Sequence, residues 1–106
     1  MNVIYEVELH VDADIAEAYR AWLPRHVAAM LAVPGFVSAD LLEVVDPAPA
    51  DGTLVLSVRY RLASLAALDD YLEQRAPRMR EEGLALFGGR FRASRRILRA
   101  PADAGA

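Results

Sequence analysis

Trp22 and His26 stand four residues apart in a segment where Ile15, Tyr19, Trp22, His26 and Met30 recur at three- and four-residue steps. On a helix that spacing stacks the indole and the imidazole on one apolar face. A histidine can take or give a proton near neutral pH. Among aromatic rings it could hold or deprotonate a small aromatic molecule. The plainer reading is a histidine at the edge of a core, hydrogen-bonded to a carbonyl, with the tryptophan as packing. His26 is the candidate for chemistry, and Trp22 is its ring partner.

Other chemistries are excluded by what the chain lacks. It has no cysteine, so disulfides, thiolate metal sites, iron–sulfur ligation and thiol nucleophiles are ruled out. It has no lysine either, which removes Schiff-base chemistry, pyridoxal phosphate attachment and Walker-type phosphate loops. The two histidines, His10 and His26, fall on different elements, so no shared metal site is expected. Ser38, Ser57, Ser64 and Ser94 lack a nucleophile-elbow context. Glu6 and Glu8 share one face of a strand, but Arg59 and Arg61 are nearer to hand than any substrate.

The elements that position these residues follow from periodicity. Val3, Tyr5, Val7, Leu9 and Val11 alternate with Glu6, Glu8 and His10, a half-buried strand. Asp12 or Asp14 is placed to cap the helix that follows, and Pro24 predicts a kink or break within that helix. Pro34 and Gly35 end it. The stretch from Phe36 to Val45 is apolar, but its alternation is too poor to say which parity is buried. A stiff loop, Asp46 to Gly52, leads to a third strand in which Leu54, Leu56, Val58, Tyr60 and Leu62 share one face. Ser64 is a helix N-cap before Leu65, Leu68 and Leu72, with Tyr71 flanking that stripe. Pro77 opens a further helical piece, and Gly88-Gly89 stops it. Phe91 to Leu98 is a last strand rich in arginine.

The order βαββαβ, with right-handed crossovers, predicts an α+β domain: a ferredoxin-like antiparallel sheet with both helices on one face. Residues 1–99 are read as the domain and residues 100–106 as a frayed tail. The first and third strands become central neighbours. Tyr5 and Tyr60 then rise from the sheet toward Trp22 and His26, so these four residues form the predicted ligand-binding set.

The other sheet face carries Ile4, Glu6, Glu8 and His10 beside Val55, Ser57, Arg59 and Arg61. It reads either as a solvated ladder of charges or as a homodimer interface, in which Ile4, Glu6, Glu8, Val55, Arg59 and Arg61 would be covered by a second copy. Nucleic acid is not the expected partner. The net charge is −3, and Tyr5 and Tyr60 lie on the core parity rather than on the face where RNA-binding sheets stack bases. The cluster Arg90, Arg92, Arg95, Arg96 and Arg99 reads as a solvated or ion-paired edge strand. The first residues read as a strand and not a signal peptide. No run of about 18 apolar residues predicts a membrane span. Cytoplasm is the expected location.

An ordered set of segments carries a resemblance. It comprises Ile4-Tyr5-Glu6-Val7, Trp22-Leu23-Pro24-Arg25-His26, Gly35-Phe36, Arg59-Tyr60-Arg61, Tyr71-Leu72, Ala76-Pro77-Arg78-Met79-Arg80, Phe87-Gly88-Gly89-Arg90-Phe91 and Arg95-Arg96-Ile97-Leu98. Together these resemble the bacterial domain-of-unknown-function family numbered 4286, from about Met1 to Arg99. Pro24 departs from that family's usual pattern. The resemblance implies a relative of the dimeric α/β-barrel superfamily, which includes cofactor-free antibiotic-biosynthesis-type monooxygenases, heme-degrading enzymes and small isomerases. It implies a pocket between helices and sheet and assigns no catalytic residue. The function expected from sequence is therefore a small homodimer that binds a partly aromatic ligand without a fixed cofactor. The alternatives are a cofactor-independent monooxygenase-like or isomerase-like enzyme using His26, and an interaction domain with no pocket.

Overall fold

The computed structural model describes residues 3–99. The tail expected at residues 100–106 lies outside the described residues. Four strands, β1 (Val3–Asp12), β2 (Phe36–Glu43), β3 (Thr53–Leu62) and β4 (Phe91–Arg99), form one antiparallel sheet in the order β2-β3-β1-β4. Three helices cover one face: α1 (Ala16–Leu31), α2 (Leu65–Gln74) and α3 (Ala76–Phe87). The α+β ferredoxin-like architecture is thus the one the element order predicts.

The strong alternation in β1 and β3 locks their register, because a one-residue slip would turn every apolar side chain to the wrong face. Val3 pairs with Leu62, Tyr5 with Tyr60, Leu9 with Leu56 and Val11 with Leu54. All eight are buried and point to the helices. Val7, expected in the same core face, is only half-buried, because it floors a cavity.

The ambiguity in β2 has a cause. Phe36 pairs with Leu62 and Ser38 with Arg61, so Val37 is an extra residue that shifts the register. Such a bulge reverses the parity of the strand. Phe36 faces the helices before it; Ala39 and Leu41, opposite Tyr60 and Val58, do so after it, with Leu41 left 44% exposed. Val37 is left exposed.

Three local expectations are corrected. Pro24 does not break α1, which runs without interruption to Leu31. Pro24 and Arg20 are both exposed, so water can solvate the carbonyl that the missing amide leaves free. Asp12 and Asp14 make no side-chain cap; they pair with Arg92, at 3.6 Å, and with Arg90. Tyr71 is itself buried core, while Leu65 is exposed. Ser64 does cap α2, accepting from the Ala67 amide at 3.1 Å. At the end of α1 the chain turns at Gly35, with φ +91°, where an added Cβ would lie 2.4 Å from the Ala67 Cβ. No larger residue fits there without moving α2.

Candidate functional site

The core is not filled to the end. Between α1, α3 and the sheet lies a cavity of about 250 Å³. Two groups of rings wall it. On one side Tyr5 stacks on Tyr60 at 6.2 Å and meets Tyr71 at 6.0 Å, with Phe36 edge-on to Tyr60 and Tyr71 behind them. On the other, Trp22 stacks on His26 at 4.8 Å, and Tyr19 packs against Trp22, Phe87 and Phe91. Tilted and edge-to-face contacts of this kind suit the ring quadrupoles. Tyr5, Trp22, His26 and Tyr60, the four residues predicted from sequence, all line the same cavity. The exposed lining residues Leu84 and Arg95 mark its mouth.

The indole is fixed from α3. Its N–H donates to the Glu82 carboxylate, and Gly83 lets the ring lie against the helix backbone: a Cβ on Gly83 would stand 3.1 Å from the indole Cη2. His26 is half-buried above it. Burial lowers the His26 pKa, and the Glu82 charge opposes that only in part. His26 is therefore a neutral imidazole at pH 7, able to accept a proton. Burial also pushes the hydroxyls of Tyr19 and Tyr71 up to about 12 and raises that of Tyr60. These phenols remain hydrogen-bond donors at neutral pH.

Two cations at this cavity were not singled out by sequence. Arg80 on α3 donates from Nη2 to the Tyr5 hydroxyl at 3.2 Å, and Arg95 reaches the cavity from β4. By sequence Arg95 reads as part of a solvated arginine edge. Its pairing with Val7, however, puts it on the helix side, together with Phe91 and Ala93. Its neighbours Arg92 and Arg96, opposite His10 and Glu6, are on the other side.

The helix-free face holds the residues considered for a dimer interface. Glu6 is 4% exposed although no helix covers it. Arg59 Nε reaches it at 2.8 Å, Arg96 grips its other oxygen, and the Ser57 hydroxyl donates at 3.3 Å. The Arg96 hydrogen bond, helped by Arg59 and opposed by desolvation, holds the Glu6 carboxyl below its ordinary pKa. Of the two carboxylates expected beside Arg59 and Arg61, only Glu6 meets one of these guanidiniums. Register places Glu8 opposite Ser57 and Arg61 opposite Ile4, and Glu8 pairs instead with His10 at 2.9 Å. Val55 is buried and Ile4 is half-buried. His10 and His26 lie on opposite faces of the sheet, and among the described residues no three His, Cys, Asp or Glu side chains converge as metal ligands. No helix among the described residues is long and apolar enough to cross a membrane.

Known structures share this fold. Rv0793 from Mycobacterium tuberculosis is 23% identical, with a TM-score of 0.68 over 98% of this chain and 99% of that one. A variant of SnoaB from Streptomyces nogalater, a cofactor-independent oxygenase, is 18% identical, with a TM-score of 0.71 over 99% and 98% of the two chains. A candidate antibiotic biosynthesis monooxygenase from Deinococcus radiodurans is 16% identical, with a TM-score of 0.69 over 95% and 94%. At such identities the likeness is one of fold. No curated protein matches the sequence. The model of the domain of unknown function DUF4286 matches residues 2–100, nearly the whole chain, and the chain belongs to that family.

Proposed function

We propose that this domain binds a small, partly aromatic ligand in the cavity between helices and sheet, with no fixed cofactor. The observation that carries the reading is the ring-walled cavity of about 250 Å³. Protein interiors are close-packed and hold few voids larger than a water molecule. A void flanked by Trp22, His26 and four tyrosines is therefore a feature this sequence maintains at a cost in stability. The indole of Trp22, the only tryptophan in the chain, serves as its own reporter. Titration with one- and two-ring phenols and quinones should quench its fluorescence saturably, and His26→Ala should weaken that quenching. A panel that leaves both proteins unquenched would favour the pocket-free interaction domain.

A second reading follows from the state of His26. A neutral imidazole beside an enclosed ring is placed to take a proton from a bound phenol or activated carbon, as a monooxygenase-like or isomerase-like enzyme would require. Turnover that survives His26→Ala removes that mechanism.

The partner we propose is a second copy, paired through the helix-free face. Ile4, Leu42 and Leu98 supply apolar area around the Glu6 cluster, with Val55 already buried beneath it, and Leu42 is 44% exposed. A twofold axis would cover both copies with one patch. Sedimentation should report twice the chain mass at micromolar concentration; one chain mass throughout would defeat the pairing.

A further inference from the structure

The charged lining of the cavity has one sign. Arg80 and Arg95 reach it, and no carboxylate is among its lining residues. Arg59, Arg90, Arg92 and Arg96 each meet an aspartate or glutamate. Among the described residues neither Arg80 nor Arg95 meets a carboxylate, and of the several arginines without one these are the two that reach the cavity. The Arg80 Nε is buried and has no hydrogen-bond partner. A buried donor left unpaired is costly, and native structures rarely leave one without a reason. Nη2 of the same guanidinium points to the Tyr5 hydroxyl at 3.2 Å. The Tyr71 hydroxyl stands within the field of both Arg80 and Arg95. Two cations and the hydroxyls of Tyr5 and Tyr71 thus line a cavity that the Trp22–His26 stack also walls.

The size of the space limits the ring system. A volume of about 250 Å³ exceeds the roughly 150 Å³ of a cavity that holds benzene and falls short of the roughly 300–1,000 Å³ of drug-sized pockets. One or two fused rings fit. An isolated anion would leave the apolar wall empty, and a neutral ring would leave Arg80, whose Nε is buried, without a counter-charge.

Resting on the reading of the cavity as a ligand site, we propose that it takes a one- or two-ring aromatic carboxylic acid. Arg80 and Arg95 hold the carboxylate, the Tyr5 and Tyr71 hydroxyls donate beside them, and the ring lies against Trp22 and His26. A planar guanidinium matches a carboxylate fork in a way a hydroxyl or amide does not.

Matched probes test this by calorimetry at pH 7.5: 2-naphthoate against 2-naphthamide, and benzoate against benzamide. Each acid should bind roughly tenfold to a hundredfold more tightly than its amide. Arg80→Gln and Arg95→Gln should each remove most of that preference, while Arg92→Gln, on the opposite sheet face, should leave it intact. The comparison of acid with amide needs no variant, so it stands even if Arg80→Gln folds poorly. Equal binding of acid and amide overturns the inference and leaves a ligand cavity in place. A preference that persists in both Arg80→Gln and Arg95→Gln overturns the assignment of those residues. Binding of neither member of either pair overturns this inference together with the reading beneath it.

Discussion

Trp22→Ala should destabilise the domain by about 3–5 kcal/mol, the range for removing a buried large aromatic side chain. The indole is 6% exposed and ties two helices to one another. It packs on Tyr19 at 5.5 Å and on Phe87 at 5.6 Å, lies over Gly83 and donates to Glu82. Truncation would merge the vacated space with the existing cavity. Neighbouring side chains could then collapse only by giving up contacts of their own, which places the loss toward the upper end of the range. Trp22→Phe keeps most of the ring contacts and releases Glu82, which is exposed and can be hydrated, so it should lose less than half as much. Circular dichroism against urea measures both, since the variants lack the fluorophore. A loss under about 1 kcal/mol for Trp22→Ala would show that the α1–α3 contact is not what holds this end of the core. The same residue is thus both core and cavity wall. Function must be probed at His26 or the arginines, where side chains can change without emptying the core.

What could be read from the sequence depended on how far apart the determining residues lie. The strands β1 and β3 each carry their own alternation, so their faces and pairing were legible from local pattern. In β2 the pattern contains both parities, Phe36 before the bulge and Ala39 and Leu41 after it. A period-two reading has no means of marking where one extra residue enters. Trp22 and His26 announced themselves by helical spacing, and Tyr5 and Tyr60 by strand parity. Arg95 carried a usable signal, its odd position alongside Phe91 and Ala93, but the density of arginines around it suggested a solvated stripe. Arg80 carried none. Its role depends on Tyr5, and the need for Gly83 depends on Trp22, partners about sixty or more positions away in the chain. The cavity itself is a difference between the volumes that distant elements enclose and fill. No segment of sequence encodes such a difference locally. Glu8 and Arg61 do not meet for a simpler reason: in an antiparallel pair with Glu6 opposite Arg59, Glu8 stands opposite Ser57 and Arg61 opposite Ile4, four positions away along β1.

Glu6→Gln should weaken the fold at neutral pH, and the deficit should disappear in acid. Glu6 is nearly fully buried, yet Arg59 and Arg96, which grip it, are 46% and 67% exposed. Solvent screening of the two guanidiniums keeps the effect in an isolated chain near about 1 kcal/mol, rather than the roughly 3 expected of a fully enclosed charged hydrogen bond. The sign follows from linkage. The folded pKa of Glu6 lies below its ordinary value near 4.5, so the unfolded chain binds the proton more readily. The stabilisation is complete above that ordinary value and fades as pH falls through the folded pKa. Urea midpoints of wild type and Glu6→Gln should therefore differ at pH 7 and converge only as pH falls below the lowered folded pKa of Glu6. A gap that stays constant across this range would mean that shape, not charge, makes Glu6 matter. Protein concentration supplies the second axis. A second copy laid over this face would enclose the guanidiniums as well, and removing the carboxylate would then strand two buried cations, a loss of about 3–5 kcal/mol. The Glu6→Gln deficit should accordingly grow with concentration if the sheet faces pair. A deficit that is the same at nanomolar and high micromolar protein would place this charge cluster outside any interface.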